Sequence, residues 1–228
     1  ILEVMGRHAG WIAAASALAA RNETDPPHII LMPEVPFAKK KFINKVKQTV
    51  ANEGFCVVVA SEGTRYKNGM FLADSGLTDA FGHKQLGGVA PVLAQMISSI
   101  GLKNHWAVSD YLQRSARHIS SKTDLDQAYA VGKKAVEFAL AGKNAVMPVI
   151  KRLSDKPYKW KIESASLSKV ANVEKTLPKG YISKDGFRIT DKGLNYLRPL
   201  IQGESSISYK DGIPIVAELK NTLVKKIT

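Results

Sequence analysis

The chain has 228 residues, 45% of them hydrophobic and 23% charged, ordinary values for a globular protein long enough to bury a sizeable core. Its single cysteine, Cys56, excludes an internal disulfide framework and suits a reducing compartment, with cytoplasm as the default expectation. No apolar run approaches the roughly 20 residues that a membrane-spanning helix needs, so no membrane partner is expected.

The formal net charge of +13 invites a nucleic-acid reading. Residues 1–114 hold 12 Lys/Arg against 9 Asp/Glu, a net of +3, and the remainder carries +10. The lysines of that basic half are scattered. No arginine-rich arm, zinc-ligand spacing or aromatic-plus-basic stacking motif accompanies them. A solvated basic surface is expected, and no nucleic acid.

Apolar runs alternate with helical patterns over the first half, the signature of an α/β protein with a mostly parallel sheet between helices. The chain opens on Ile1-Leu2-Glu3-Val4, which reads as a strand already under way and suggests a piece of something longer. That strand, over 2–5, is followed by a helix over 8–22, which Asp25-Pro26-Pro27 breaks. A strand over 28–32 and an amphipathic helix over 38–53 come next, the helix placing Phe42, Val46 and Val50 on one face. A strand over 55–60 leads into a loop excursion over 64–83. A helix over 87–100 and a short strand over 106–109 follow. A helix over 124–141, capped by Thr123, precedes a strand over 144–152. Residues 156–181 read as mixed, 189–200 as holding a short helix, 199–214 as a loop and 218–226 as a terminal amphipathic helix.

Ligands of open parallel sheets sit beyond the carboxyl ends of the strands. Three polar clusters fall there: Met5-Gly6-Arg7, Ser61-Glu62-Gly63 and Tyr111-Leu112-Gln113-Arg114. The first precedes a helix, so its backbone amides lie near a positive helix terminus, and Arg7 offers a donor fork that matches phosphate oxygens. Glu62 can accept hydrogen bonds from sugar hydroxyls. Tyr111, Gln113 and Arg114 add a phenol, an amide and a guanidinium. Each cluster alone is also what an ordinary turn or strand end looks like. The histidines, at 8, 28, 83, 105 and 118, share no metal-ligand spacing, and no metal site is expected in this chain. Ser61 lacks the glycines of a nucleophile elbow, and the glycines over 82–88 lack a P-loop ending.

Together, Glu3-Val4-Met5-Gly6-Arg7, Pro33-Glu34-Val35, Ser61-Glu62-Gly63 and Tyr111-Leu112-Gln113-Arg114 resemble the fructose-6-phosphate site of the 6-phosphofructokinase family, in the family's order and with similar separations. The likeness is strong to about residue 150 and looser beyond. Met5-Gly6-Arg7-His8-Ala9-Gly10-Trp11, Phe81-Gly82-His83-Lys84-Gln85-Leu86-Gly87-Gly88 and Tyr111 are most similar to the pyrophosphate-dependent branch. The resemblance implies a phosphofructokinase-like three-layer sandwich lacking the N-terminal donor-binding part. It also implies that Met5, Gly6, Arg7, Glu62, Tyr111, Leu112, Gln113 and Arg114 bind fructose 6-phosphate, with Arg7 steadying charge on the transferring phosphoryl group. Residues 1–114 would form the sugar-phosphate domain, 115–150 would return to the donor domain, and 151–228 would form a C-terminal region and extension. The implied reaction is glycolytic phosphorylation of fructose 6-phosphate by pyrophosphate, with Mg²⁺ held alongside the donor by residues outside this chain, in a homo-oligomer. An ATP-dependent enzyme and a non-catalytic phosphosugar-binding subunit are the alternatives. The family's Gly-Gly-Asp donor loop and its Thr-Ile-Asp segment, which bears the catalytic aspartate, are absent from these residues, so the chain alone is expected to be inactive.

Overall fold

The computed structural model describes residues 1–78, 84–86 and 88–226. The elements run β1 (Leu2–Val4), α1 (Trp11–Ala15), β2 (Ile29–Leu31), α2 (Lys39–Glu53), β3 (Val58–Ser61), β4 (Asp74–Thr78), β5 (Lys84–Leu86), α3 (Val89–Ser98), β6 (Ala107–Val108), α4 (Leu112–Ser115) and α5 (Lys122–Leu140). The chain continues through β7 (Val146–Asp155), β8 (Tyr158–Ser166), α6 (Leu167–Val170), α7 (Asp191–Leu197), β9 (Tyr209–Lys210) and β10 (Ile213–Pro214).

β1, β2, β3 and β6 form a parallel sheet in the order β2-β3-β1-β6. Side chains alternate across a strand, and here both faces are apolar, as a parallel sheet covered on both sides requires. Ile29, Leu31, Val58 and Ala60 join Phe42 and Val46 of α2 and Val89, Leu93 and Ile97 of α3 in one core. Ile30, Val59 and Val4 join Ala13 and Ala14 of α1 and Leu197 of α7 in the other. The expected three-layer α/β architecture is therefore present.

Inside this apolar frame stands a charged residue. Glu3, 1% exposed, accepts hydrogen bonds from the Gly88 and Ala90 amides at 3.1 and 2.8 Å. It thereby serves the open N–H groups of α3, at whose positive end a carboxylate is favoured. α2 ends at Gly54, whose φ of +80° suits a residue without a Cβ.

Several expected elements differ. The helix over 8–22 shrinks to α1 and a 3₁₀ turn over Ser16–Ala19. Asn22 Oδ1 accepts from the Thr24 and Asp25 amides, and this Asx turn competes with helix. Ser121, rather than Thr123, caps α5 by accepting from the Asp124 amide. The mixed stretch after residue 155 contains β8, antiparallel to β7. The end of the chain forms no helix over 218–226: residues 218–226 are exposed, and so short a segment needs a surface to pack on. The excursion over 64–83 holds β4, paired antiparallel with β5. Of the segment 81–88, residues 81–83 and 87 lie outside the described residues. No helix among the described residues is long and apolar enough to cross a membrane.

Burial holds the Glu3 carboxyl above its ordinary value of 4.5; the nearby Glu62 charge adds to the rise and the α3 amides oppose it. A carboxylate with a raised folded-state pKa costs stability once ionised, so the cost is absent below about 4.5 and grows as pH climbs through the folded value. Urea midpoints of the Glu3 protein relative to Glu3→Gln should therefore move upward as pH falls from neutral toward 4.5. A pH-independent difference would contradict this assignment.

Candidate functional site

The carboxyl ends of β3, β1 and β6 lie side by side, and each delivers one of the three polar clusters. The Glu62 amide continues the ladder by donating to the Val4 carbonyl at 2.9 Å, and Ser109 N–H does the same to the Glu3 carbonyl at 3.0 Å. Just past these bonds the chain leaves β1 as Met5-Gly6-Arg7. Glu62 Oε1 accepts from the Gly6 and Arg7 amides at 3.1 and 3.0 Å. From the β6 side, Gln113 Oε1 accepts from the Met5 amide at 3.4 Å. Three consecutive backbone donors are thus held by side chains from both neighbouring strand ends.

Close approach makes this possible. A Cβ on Gly63 would stand 1.2 Å from the Arg7 carbonyl oxygen, and one on Gly6 would meet Ser61 Oγ at 2.8 Å. Arg7 has φ +42°, a left-handed conformation that costs a residue with a Cβ about 1 kcal/mol or more. It is kept there by its surroundings. Asp110, with φ +39°, turns the chain from β6 into α4.

Met5, Gly6, Arg7, Glu62 and Gln113 are therefore joined by direct hydrogen bonds. Tyr111, Leu112 and Arg114 stand at the same sheet edge at the start of α4. Their side chains are exposed, with Leu112 at 73%, and the Arg114 guanidinium lies 5.3 Å over the Tyr111 ring. Leu112 donates its amide to Ser109. Neither Arg7 nor Arg114 forms an ion pair with an acidic side chain among the described residues. Among the described residues, Glu62 Oε2 likewise takes no hydrogen bond, Oε1 alone holding the two amides. A cleft of about 730 Å³ opens alongside, with Gln113, His118, Ser121 and Asp124 in its wall.

Sequence reasoning missed the supports. Glu34 accepts from the Gly10 amide through both carboxylate oxygens, at 3.0 and 3.2 Å, and from the Leu177 amide at 2.8 Å. His8 Nδ1 contacts Glu174 Oε1 and its ring stacks on Phe71 at 5.7 Å. Their partners lie 24 to 166 positions away in the chain, beyond any local pattern. The position of Glu3 within an apolar strand was the one legible sign of a buried acid. No cluster of three or more His, Cys, Asp or Glu residues able to seat a metal ion occurs among the described residues.

Gly63→Ala should force the two loops apart, costing about 2 kcal/mol or more of stability, and should spread the Met5–Arg7 amides. Thermal melting of this variant at near-parental Tm would refute the close approach.

The first 139 residues match the phosphofructokinase family. A pyrophosphate–fructose 6-phosphate 1-phosphotransferase of Halomonas elongata is 59% identical over 227 residues, covering 99% of this chain and 54% of the relative. The enzyme of the same name from Xanthomonas campestris is 56% identical, with 99% and 55% covered. The crystal structure of a pyrophosphate-dependent phosphofructokinase from Marinobacter aquaeolei superposes with a TM-score of 0.86 at 55% identity, covering 100% of this chain and 54% of that one. The chain spans about half the length of the relatives it matches. A parallel sheet whose strand ends converge on Met5-Gly6-Arg7, and a family match over more than half the residues, lead to one conclusion: the chain belongs to the phosphofructokinase family.

Proposed function

We propose that these strand ends form the fructose 6-phosphate site of a pyrophosphate-dependent 6-phosphofructokinase, a glycolytic phosphotransferase of which this chain supplies the sugar-phosphate side. The observation that carries the reading is the grip of Glu62 on the Gly6 and Arg7 amides, with the guanidiniums of Arg7 and Arg114 at the same strand ends and without an acidic partner among the described residues. One carboxylate oxygen of Glu62 shapes the loop, and the other is left to accept from a sugar hydroxyl. Arg114, braced against Tyr111, meets the 6-phosphate. Gln113 orients the Met5 backbone against the sugar, and Leu112 contributes an exposed apolar wall.

Arg7 sits at the mouth of the same loop and steadies negative charge on the phosphoryl group as it moves to the sugar's 1-hydroxyl. The proton acceptor for that hydroxyl, the pyrophosphate and the Mg²⁺ that accompanies it belong to residues outside this chain. The names of the similar relatives favour pyrophosphate over ATP as donor. Residues 1–114 form the sugar-phosphate domain, 115–150 return toward the donor domain, and 151–228 form the C-terminal region. In support of that return, α5 leaves Tyr129, Val136 and Leu140 exposed at 74, 60 and 85% along one side of the helix, an apolar ridge suited to packing. A homo-oligomer in the cytoplasm completes the proposal.

The test is turnover by the full-length protein carrying these residues, with pyrophosphate or ATP offered alongside fructose 6-phosphate and Mg²⁺. Pyrophosphate-dependent formation of fructose 1,6-bisphosphate is expected, and none from residues 1–228 alone. Arg7→Ala should lower kcat about 100-fold or more, the scale of losing a charge-stabilising donor. Arg114→Ala should raise KM for the sugar phosphate about tenfold or more by removing a charge-assisted contact, leaving KM for pyrophosphate near its starting value. Unchanged sugar-phosphate affinity in both variants would sink the assignment.

A further inference from the structure

Beyond α6 the chain runs without regular secondary structure over 173–178, crossing the start of α1. Three contacts pin it there. Glu174 Oε1 meets His8 Nδ1 at 2.5 Å, the Lys175 carbonyl accepts from Trp11 Nε1 at 2.6 Å, and the Leu177 amide donates to Glu34 Oε1 at 2.8 Å. Glu34 in turn holds the Gly10 amide, and the Leu177 side chain is buried in the core beneath. A segment more than 140 positions away in sequence thus fastens His8, Trp11 and, through Glu34, Gly10.

Arg7 lies at the edge of that fastened stretch. Glu62 fixes its amide on one side; on the other the chain passes directly into His8, whose ring is trapped between Phe71 and Glu174. The left-handed backbone of Arg7 persists when both flanks are held. The Glu174 side chain is 56% exposed and pairs with no lysine or arginine among the described residues. An exposed pair of this kind contributes little to stability, so the consequence of the contact is geometrical.

We infer that Glu174 is a positioning residue for Arg7, acting through His8, and that the strap over 173–178 is thereby part of the phosphosugar site. The inference rests on the function proposed above and adds to it a role for the C-terminal region. A guanidinium displaced by a fraction of an ångström loses much of what it gives to an oriented ligand.

The experiment uses the full-length protein and compares Glu174→Ala, Glu174→Gln and His8→Phe in steady-state kinetics and thermal melting. Glu174→Ala should lower kcat about tenfold, in the direction of Arg7→Ala, while leaving KM for pyrophosphate within about twofold and Tm nearly unchanged. Glu174→Gln, whose amide oxygen still accepts from His8, should recover most of the loss. His8→Phe keeps a ring against Phe71 but loses the hydrogen bond, so it should resemble Glu174→Ala, and combining the two should add little. A kcat within about twofold of the parent in Glu174→Ala, a loss confined to KM, or a Gln variant as impaired as the Ala variant would each overturn the inference. If the unsubstituted protein neither binds nor turns over fructose 6-phosphate, the functional reading fails and this inference with it. If it does both and Glu174→Ala matches it, the inference alone fails.

Discussion

The bond from the Glu62 carboxylate to two successive backbone amides is the constraint on which the site depends. β3 and β1 are neighbours in a parallel ladder, and their paired backbones already bring residue 62 level with the end of β1. Glu62 exploits that register: it leaves β3 and turns its side chain onto the amides of Gly6 and Arg7. Hydrogen bonds to an ionised acceptor each contribute about 1.5–3 kcal/mol, enough to offset the left-handed backbone of Arg7. The glycines follow from the same constraint. Without Cβ atoms at 6 and 63, two loops share a space that side chains would otherwise fill.

The sheet itself was legible because its strands are apolar on both faces. Residues 29–31 and 58–60 read as near-continuous hydrophobic runs, and the two cores divide them by alternation. The converging clusters were legible too, since a parallel sheet places every strand's carboxyl end on one edge. Elements set by long-range packing or local side-chain competition were not. Nothing near residue 8 announces a short α1, because Asn22 and Asp25 draw the backbone into a turn instead. β8 was hidden by lysines at 159 and 161, although Tyr158, Trp160 and Ile162 carry the alternation of a strand. The terminal segment has amphipathic spacing, yet none of the described residues covers it.

The supports of the site share a pattern that local sequence cannot display. Glu3, Glu34, Glu62 and Glu174 each present a carboxylate oxygen to a donor far along the chain. Three of the four take backbone amides rather than basic side chains. Amides are fixed in position by the fold, so a carboxylate bound to them is oriented without recruiting a cation. Among the described residues the guanidiniums of Arg7 and Arg114 accordingly have no acidic partner, which a scheme of acid–base pairs would give them.

Glu3 and Glu62 show how this division of labour is enforced. Their strands are paired, Glu3 opposite Ala60, so the two carboxyls lie close enough for the charge of Glu62 to push Glu3 upward in pKa. Glu3 is sealed beneath α3, where burial is the larger influence; Glu62 is half-buried and opens toward the sheet edge. Exchanging their settings would bury the carboxylate that holds the Gly6 and Arg7 amides and expose the one that completes a helix end. The order of strands and their register, Val4 opposite Ser61, therefore decide which acid is sealed in the core and which stands at the open end of the sheet.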